Sequence, residues 1–173
     1  MDLVFLLIST LIFVGGFIFS VVSVRSGKYH PNYTNLTLIG IGFLFQCGFL
    51  YIRGQLHSRC PITDGAEVLV FIAWSLAIMY FMLGRAFRLS LVGAFTAPIL
   101  AILHILALIL NWINPAVARP YDTMDPWLEM HAAMSLLAYG AFAFAAISGI
   151  MYLIQNRQLK SGHPGSLSFN MPS

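Results

Sequence analysis

The chain has 173 residues, of which 59% are hydrophobic and only 9% are charged, with a formal net charge of +3. Soluble domains carry about 25% charged residues, so this composition excludes a water-soluble globular protein. The basic residues form small groups beside apolar segments instead of one patch, and the positive charge therefore does not indicate a nucleic-acid partner.

Five long segments of the chain contain no Asp, Glu, Lys or Arg. A helix needs about 20 mostly apolar residues to cross the hydrocarbon core of a bilayer, and the alternating polarity of a transmembrane β-strand is absent from these segments. We therefore predict an all-α integral membrane protein in which residues 1–173 form one transmembrane helical domain surrounded by the lipid bilayer. The five predicted transmembrane helices lie at about residues 3–24, 36–52, 66–84, 89–112 and 131–154.

The charges between these spans predict the orientation, because cytoplasmic loops of membrane proteins are enriched in Lys and Arg. Basic residues without acidic neighbours follow the first, third and fifth spans, at Arg25, Lys28, Arg85, Arg88, Arg157 and Lys160. The other two loops also contain acidic residues. We therefore expect the N-terminus outside and the C-terminus in the cytoplasm. The first span is expected to be retained, because Asp2 stands where a signal peptide carries a positive charge.

Local signals mark where two helices begin. Asp64, followed three residues later by Glu67, resembles a capping box for the third helix. Asp125 followed by Pro126 predicts an N-cap and a first-turn proline for the fifth helix.

Polar residues in and after the second span have simple interpretations. Gln46 and Arg53 share one helix face, which is typical of an interhelical hydrogen bond and of an arginine that snorkels to the membrane surface. Cys47 lies within the span and Cys60 lies in the next loop. The two cysteines have no metal-binding spacing, and we expect no bond between them.

Two histidines lie on helix faces that also carry small residues. At 100° per residue, one face of the fourth helix collects Gly93, Ala97, His104 and Asn111. One face of the fifth helix collects His131, Ser135, Ala138, Ala145 and Gly149, with Phe142 among them. Small residues let helices approach closely, so both histidines are predicted to point into protein. His104 can be an iron ligand or a hydrogen-bonding group between helices, and His131 a ligand or an interfacial polar residue.

The predicted depths of the two histidines differ. The fourth span ends near Trp112, which leaves His104 about 12 Å below the outer surface at about 1.5 Å per residue. His131 lies at the outer rim. A single iron holds its imidazole nitrogens at about 2 Å. The two histidines are therefore expected to bind iron at separate sites, at different depths.

Three stretches resemble the cytochrome c assembly proteins of the CcsA/ResC type. They are "PITDGAEVLVFIAWS" at residues 61–75, "LVGAFTAPILAILH" at residues 91–104 and "WLEMHAAMSLLAYG" at residues 127–140. The second is similar to the family's Gly-Ala-x-Thr-Ala-Pro stretch with a histidine six residues after the proline. The third is similar to its Trp-Leu-x-x-His stretch with a tyrosine eight residues further on.

The resemblance implies heme as the cofactor and cargo. His104 matches a transmembrane histidine that ligates heme iron within the bundle, and His131 matches an external histidine that ligates heme iron beside the outer binding site. No catalytic side chain is implied. The implied partners are apocytochrome c and a second membrane subunit of the synthase. The implied location is a bacterial inner membrane or its thylakoid equivalent.

The chain departs from the family pattern in what it lacks. The family's tryptophan-rich external segment, second external histidine and second transmembrane histidine do not occur in this sequence. The sequence therefore resembles an N-terminal part, truncated before the family's C-terminal helices, and the HemX/YpjD-like branch shares these helices. The alternatives to a subunit of a cytochrome c synthase (heme lyase) are a non-catalytic factor regulating heme synthesis or assembly, and a subunit of a transporter or oxidoreductase.

Overall fold

The computed structural model describes residues 1–25, 33–84, 90–115 and 125–160. Within these residues it contains five helices: α1 (Asp2–Arg25), α2 (Thr34–His57), α3 (Gly65–Gly84), α4 (Ser90–Ile113) and α5 (Pro126–Lys160). All five are long and apolar enough to cross a membrane, which confirms the predicted all-α membrane class. Three residues used to predict the orientation, Lys28, Arg85 and Arg88, lie outside the described residues.

Two helices extend beyond the predicted spans, because hydropathy detects the hydrocarbon-crossing part of a helix and misses its polar ends. α2 continues to His57 instead of ending near residue 52. α5 begins at Pro126, as its Asp-Pro signal predicts, and continues to Lys160 instead of ending near residue 154. α5 has 35 residues. At about 1.5 Å per residue it is about 52 Å long, against about 30 Å for the hydrocarbon core. It therefore extends well beyond the apolar layer.

The predicted helix starts are confirmed at the level of hydrogen bonds. Asp64 Oδ1 accepts the backbone N–H of Glu67 at 2.8 Å, as in a capping box. Glu67 reaches back one residue further than usual, and its Oε2 accepts both the N–H and the hydroxyl of Thr63 at 2.8 Å. At the start of α5, Asp125 Oδ1 accepts the N–H of Trp127 at 3.0 Å.

The core forms where α4 packs against both α1 and α3, while α5 packs mainly against α3. The predicted inward face of α4 is confirmed, because Gly93, Ala97, His104 and Asn111 are all buried. Glycines bring α1 and α2 together in the same way at two levels, with Phe5 against Gly48 and Phe13 against Gly42.

The predicted inward face of α5 is wrong. The buried residues of α5 are Leu136, Gly140, Phe144, Ile147 and Met151. His131, Ala138, Phe142, Ala145 and Gly149 are exposed instead. The helix has small residues on more than one face, and the contact with α3 selects Gly140. There Ser75 Oγ donates a hydrogen bond to the Leu137 carbonyl at 2.8 Å, and no room remains for a larger residue.

Gly140→Ala tests this contact. An added Cβ would lie 2.7 Å from the backbone nitrogen of Leu76, and overpacking of this kind costs about 1–3 kcal/mol. We expect Gly140→Ala to lower the unfolding midpoint in mixed micelles, followed by far-UV circular dichroism. Gly149→Ala is the matched control, because its Cβ would meet nothing within 4 Å. Equal midpoints for the two variants would contradict the observed α3–α5 interface.

Candidate functional site

One end of the bundle collects charged and polar residues from four helices. α1 and α3 begin there, and α2 and α4 end there. We call this group the Arg53 cluster, and it contains Asp2, Arg53, His57, Asp64, Glu67 and Asn111. The interpretation of Arg53 as a snorkelling side chain is wrong, because its side chain is only 3% exposed.

Arg53 contacts each of the other three helices at this end. Its Nε lies 2.8 Å from Asp2 Oδ2 of α1, and its Nη2 donates to Asn111 Oδ1 of α4 at 2.6 Å. Its Nη1 lies 3.4 Å from Asp64 Oδ2 and 3.5 Å from Glu67 Oε1. Buried guanidinium groups are stable only when they are paired and hydrogen-bonded. Arg53 is paired with three carboxylates, and its Nη1 and Nη2 donate hydrogen bonds to Asp64 and Asn111.

His57 completes the cluster one turn after Arg53 on α2. Its Nε2 lies 3.3 Å from Glu67 Oε1, and the Glu67 side chain is fully buried. The carboxylates lie at the beginnings of α1 and α3, while the basic groups lie in the last turns of α2. The carboxylates therefore lie at the helix ends whose dipoles favour negative charge, and Arg53 lies near an end that favours positive charge. One signal in the sequence could have indicated this cluster: Arg53 and His57 lie four residues apart at the end of α2, shortly before the acidic start of α3.

Two other predictions, for Gln46 and for the cysteines, are confirmed. Gln46 Nε2 donates to the Val70 carbonyl of α3 at 2.8 Å, which is an interhelical hydrogen bond. Cys47 and Cys60 are both free. The Cys47 sulfur accepts the indole N–H of Trp74 at 3.3 Å, so its role is in packing between α2 and α3.

His104 lies in the core and is fully buried. Its Nδ1 lies 2.9 Å from the Leu100 carbonyl of its own helix. A carbonyl can only accept, so Nδ1 carries the proton and Nε2 has a free lone pair. Among the described residues Nε2 has no hydrogen-bond partner. Within the part of the chain that the structure describes, His104 makes no hydrogen bond to another helix, and a neutral imidazole nitrogen of this kind is able to bind a metal.

His131 lies in a different environment, on the exposed surface of the second turn of α5. Its backbone carbonyl accepts the hydroxyl of Ser135 at 2.8 Å. Trp127, one turn earlier, is 73% exposed. The structure does not bring the two histidines together, because His104 is in the core of α4 and His131 is on the surface of a helix that packs mainly against α3.

Comparison with known proteins places the sequence in a family. A family model described as cytochrome C assembly protein matches residues 63–173, which include α3, α4 and α5 with both histidines. The chain belongs to the cytochrome c assembly protein family. Phe13 of α1 and Arg53 of α2 lie before the matched residues.

Individual relatives agree with the family model. The chain is 26% identical to the cytochrome c biogenesis protein CcsA of Nostoc punctiforme over 154 residues, 81% of this chain and 43% of the relative. It is 25% identical to CcsA of Marchantia polymorpha over 164 residues, 90% of this chain and 51% of the relative. It is 25% identical to protein HemX of Bacillus subtilis over 127 residues, 71% of this chain and 45% of the relative. The chain thus spans about half the length of these relatives. No solved structure matches it.

Arg53→Met tests whether the cluster holds the helices together. Removing the guanidinium takes from Asp2, Asp64 and buried Glu67 the cation that they share, and loss of one member of a buried pair costs about 3–5 kcal/mol. We expect a large fall in the unfolding midpoint of the purified protein. Arg157→Met, at an exposed position of α5, is the control. Adding Glu67→Gln to Arg53→Met should recover part of the loss, and a purely additive double variant would argue against direct coupling.

Proposed function

We propose that this single helical membrane domain handles heme during the maturation of c-type cytochromes. In this proposal His104 ligates heme iron within the bundle, and His131 ligates it at the outer rim. The observation that carries the proposal is the buried Nε2 of His104, which has no hydrogen-bond partner among the residues that the structure describes. An imidazole lone pair enclosed in an apolar core, in a chain of this family, is suited to a metal that the protein receives and passes on.

The surroundings of His104 support a ligand role. The bond from Nδ1–H to the Leu100 carbonyl fixes both the tautomer and the ring orientation. Such a bond to the second nitrogen is usual for metal-ligating histidines and increases their basicity. The neighbouring core residues Ala97, Leu100 and Ala101 are apolar and buried, so they match the apolar faces of a porphyrin. The iron and the porphyrin supply the redox chemistry, while the protein supplies ligation and position.

The exposure of His131 supports a role in transfer. An exposed imidazole next to the exposed indole of Trp127 can meet a ligand that another protein must also reach. Heme held there would be accessible to apocytochrome c, whose thiols add to the heme vinyl groups. A second membrane subunit of the synthase is the proposed partner of the exposed α5 surface.

The proposed orientation puts the Arg53 cluster and His131 outside and Lys160 in the cytoplasm. Arg25, Arg157 and Lys160 lie at the opposite end of the bundle from the cluster, in agreement with the positive-inside rule. The proposed membrane is a bacterial inner membrane or its thylakoid equivalent, which is supported by the cyanobacterial source of one relative.

A second candidate function is supported by the similarity to HemX of Bacillus subtilis. A non-catalytic membrane factor that regulates heme synthesis or assembly would share these helices. Heme bound to the purified chain through His104 favours delivery. A purified chain that binds no heme, together with altered heme synthesis in cells that lack the protein, favours the HemX-like role.

Labelling of Cys60 tests the orientation. Burial, with Glu129 and Glu67 nearby, raises the pKa of the Cys60 thiol above its usual value. The reactive thiolate is therefore scarce at neutral pH and increases as the pH rises, so labelling is best done near pH 8.5. An impermeant maleimide should label Cys60 in intact spheroplasts and leave Cys47 unmodified. Glu129→Gln removes a negative neighbour and should speed the reaction. Labelling of Cys60 only after lysis would reverse the orientation.

Substitution of each histidine tests the two proposed heme-ligating sites. In a full-length or reconstituted assembly, His104→Ala should lose heme during purification, because packed helices exclude a replacement ligand. His131→Ala should also impair cytochrome c maturation, but external imidazole should restore part of it because the site is exposed. The measurements are the Soret spectrum and the yield of covalent cytochrome c.

Matched variants control for general damage. Thr96→Ala removes another buried side chain on α4 that bonds the carbonyl four residues earlier, and Ser135→Ala changes the surface beside His131. Both should retain heme and maturation. Full heme and maturation in both histidine variants would make these residues ordinary polar contacts. Better imidazole rescue of His104→Ala than of His131→Ala would reverse the proposed depths.

A further inference from the structure

The ring of Phe13 lies against the ring of His104 in the core. The two ring centroids are 4.6 Å apart and the ring planes are inclined by 55°. Phe13 is 1% exposed and belongs to α1, whereas His104 belongs to α4. A ligand that binds the imidazole of His104 within the bundle needs space beside that imidazole. The ring of Phe13 fills part of this space.

The same aromatic ring fits closely against a glycine of α2. A Cβ added to Gly42 would lie 2.7 Å from Cε1 and 2.8 Å from Cζ of Phe13. Real Cβ atoms do not approach other atoms so closely, so the ring depends on the missing side chain of Gly42. The core thus contains a slot for a flat apolar group, bordered by Gly42 of α2 and His104 of α4.

Two adjacent glycines, which destabilise a helix, follow Phe13 in α1 after one intervening residue. Gly15 and Gly16 are adjacent in the helix interior, where each glycine costs about 0.5–1 kcal/mol relative to alanine. A Cβ on Gly15 would meet nothing within 4 Å, so close packing does not require a glycine at this position. A locally weak helix lets the preceding turn shift at low energetic cost, and Phe13 lies in that turn.

We propose that Phe13 occupies the place of the porphyrin beside His104 and must withdraw before His104 can ligate iron. This inference rests on the proposed heme ligation by His104 and identifies Phe13 as the residue that controls access to that histidine. Because binding then requires an open conformation, the apparent affinity for heme is reduced by the fraction of molecules that are open.

The first test measures access to His104 without heme. Diethyl pyrocarbonate modifies neutral imidazoles, and peptide mass spectrometry reports the rate at His104 in the purified protein. Phe13→Ala should raise that rate by at least about ten-fold, as expected if a state of low population becomes dominant. Phe5→Ala is the matched control, because Phe5 lies on Gly48 in the same α1–α2 interface and its ring contact is with Phe45. It should leave the rate at His104 unchanged.

A second pair of variants tests withdrawal without opening a cavity. Gly15→Ala stiffens α1, and Gly40→Ala stiffens α2, and neither added Cβ meets an atom within 4 Å. Gly15→Ala should slow the modification of His104, whereas Gly40→Ala should not. Equal rates in these two variants would overturn the proposal, even where Phe13→Ala fails to fold.

Hemin binding to the same proteins separates this inference from the proposed function. The rise of the Soret band should be faster in Phe13→Ala and slower in Gly15→Ala than in the wild-type chain. An unchanged rate of His104 modification in folded Phe13→Ala would overturn the role of Phe13. If the rate rises but hemin binds equally well to His104→Ala, the heme assignment of His104 is overturned while Phe13 still controls access to that ring.

Discussion

The burial of one guanidinium group, that of Arg53, constrains how four of the five helices meet. Its ion pairs and hydrogen bond extend to the first residue of α1, the N-cap and first turn of α3 and the last turn of α4. A shift of any of these helices by one turn, about 5.4 Å, would break at least one ion pair or hydrogen bond of the buried guanidinium. The cluster therefore specifies the register of the bundle in a way that apolar packing alone does not.

This fixed end contrasts with the middle of the bundle. Near Asp2, α1 is tied to α2 by an ion pair, whereas near Phe13 it is held by apolar contact with Gly42 and His104. Coulombic attraction holds the two helices together at the charged end, whereas the adjacent glycines of α1 let the turn that carries Phe13 shift at low energetic cost. The architecture thus combines an anchored end with a core that can repack around the histidine.

Much of this architecture could be predicted from sequence, because uncharged segments, capping residues and the face of α4 depend on local patterns. The interhelical bond of Gln46 was also predictable, since a buried amide needs a partner. The burial of Arg53 could not be predicted. An arginine near the end of a span has the same local sequence pattern whether its side chain reaches water or pairs with three other helices. The face of α5 was missed because small residues occur around much of that helix, and only the contact of Gly140 with α3 decides which face is buried. The position of Phe13 depends on how α1 meets α4, which no local pattern encodes.

The length of α5 has a mechanical consequence. Its 35 residues form one uninterrupted helix, and Pro126 at its first position leaves the hydrogen-bond ladder intact. A tilt steep enough to hide about 52 Å inside about 30 Å of hydrocarbon would exceed the usual range of up to about 40°. The helix therefore behaves as a rod that reaches water at its ends, and it carries His131 near one end and Lys160 at the other. Because the helix is continuous, a displacement of its basic end is transmitted along it toward the histidine.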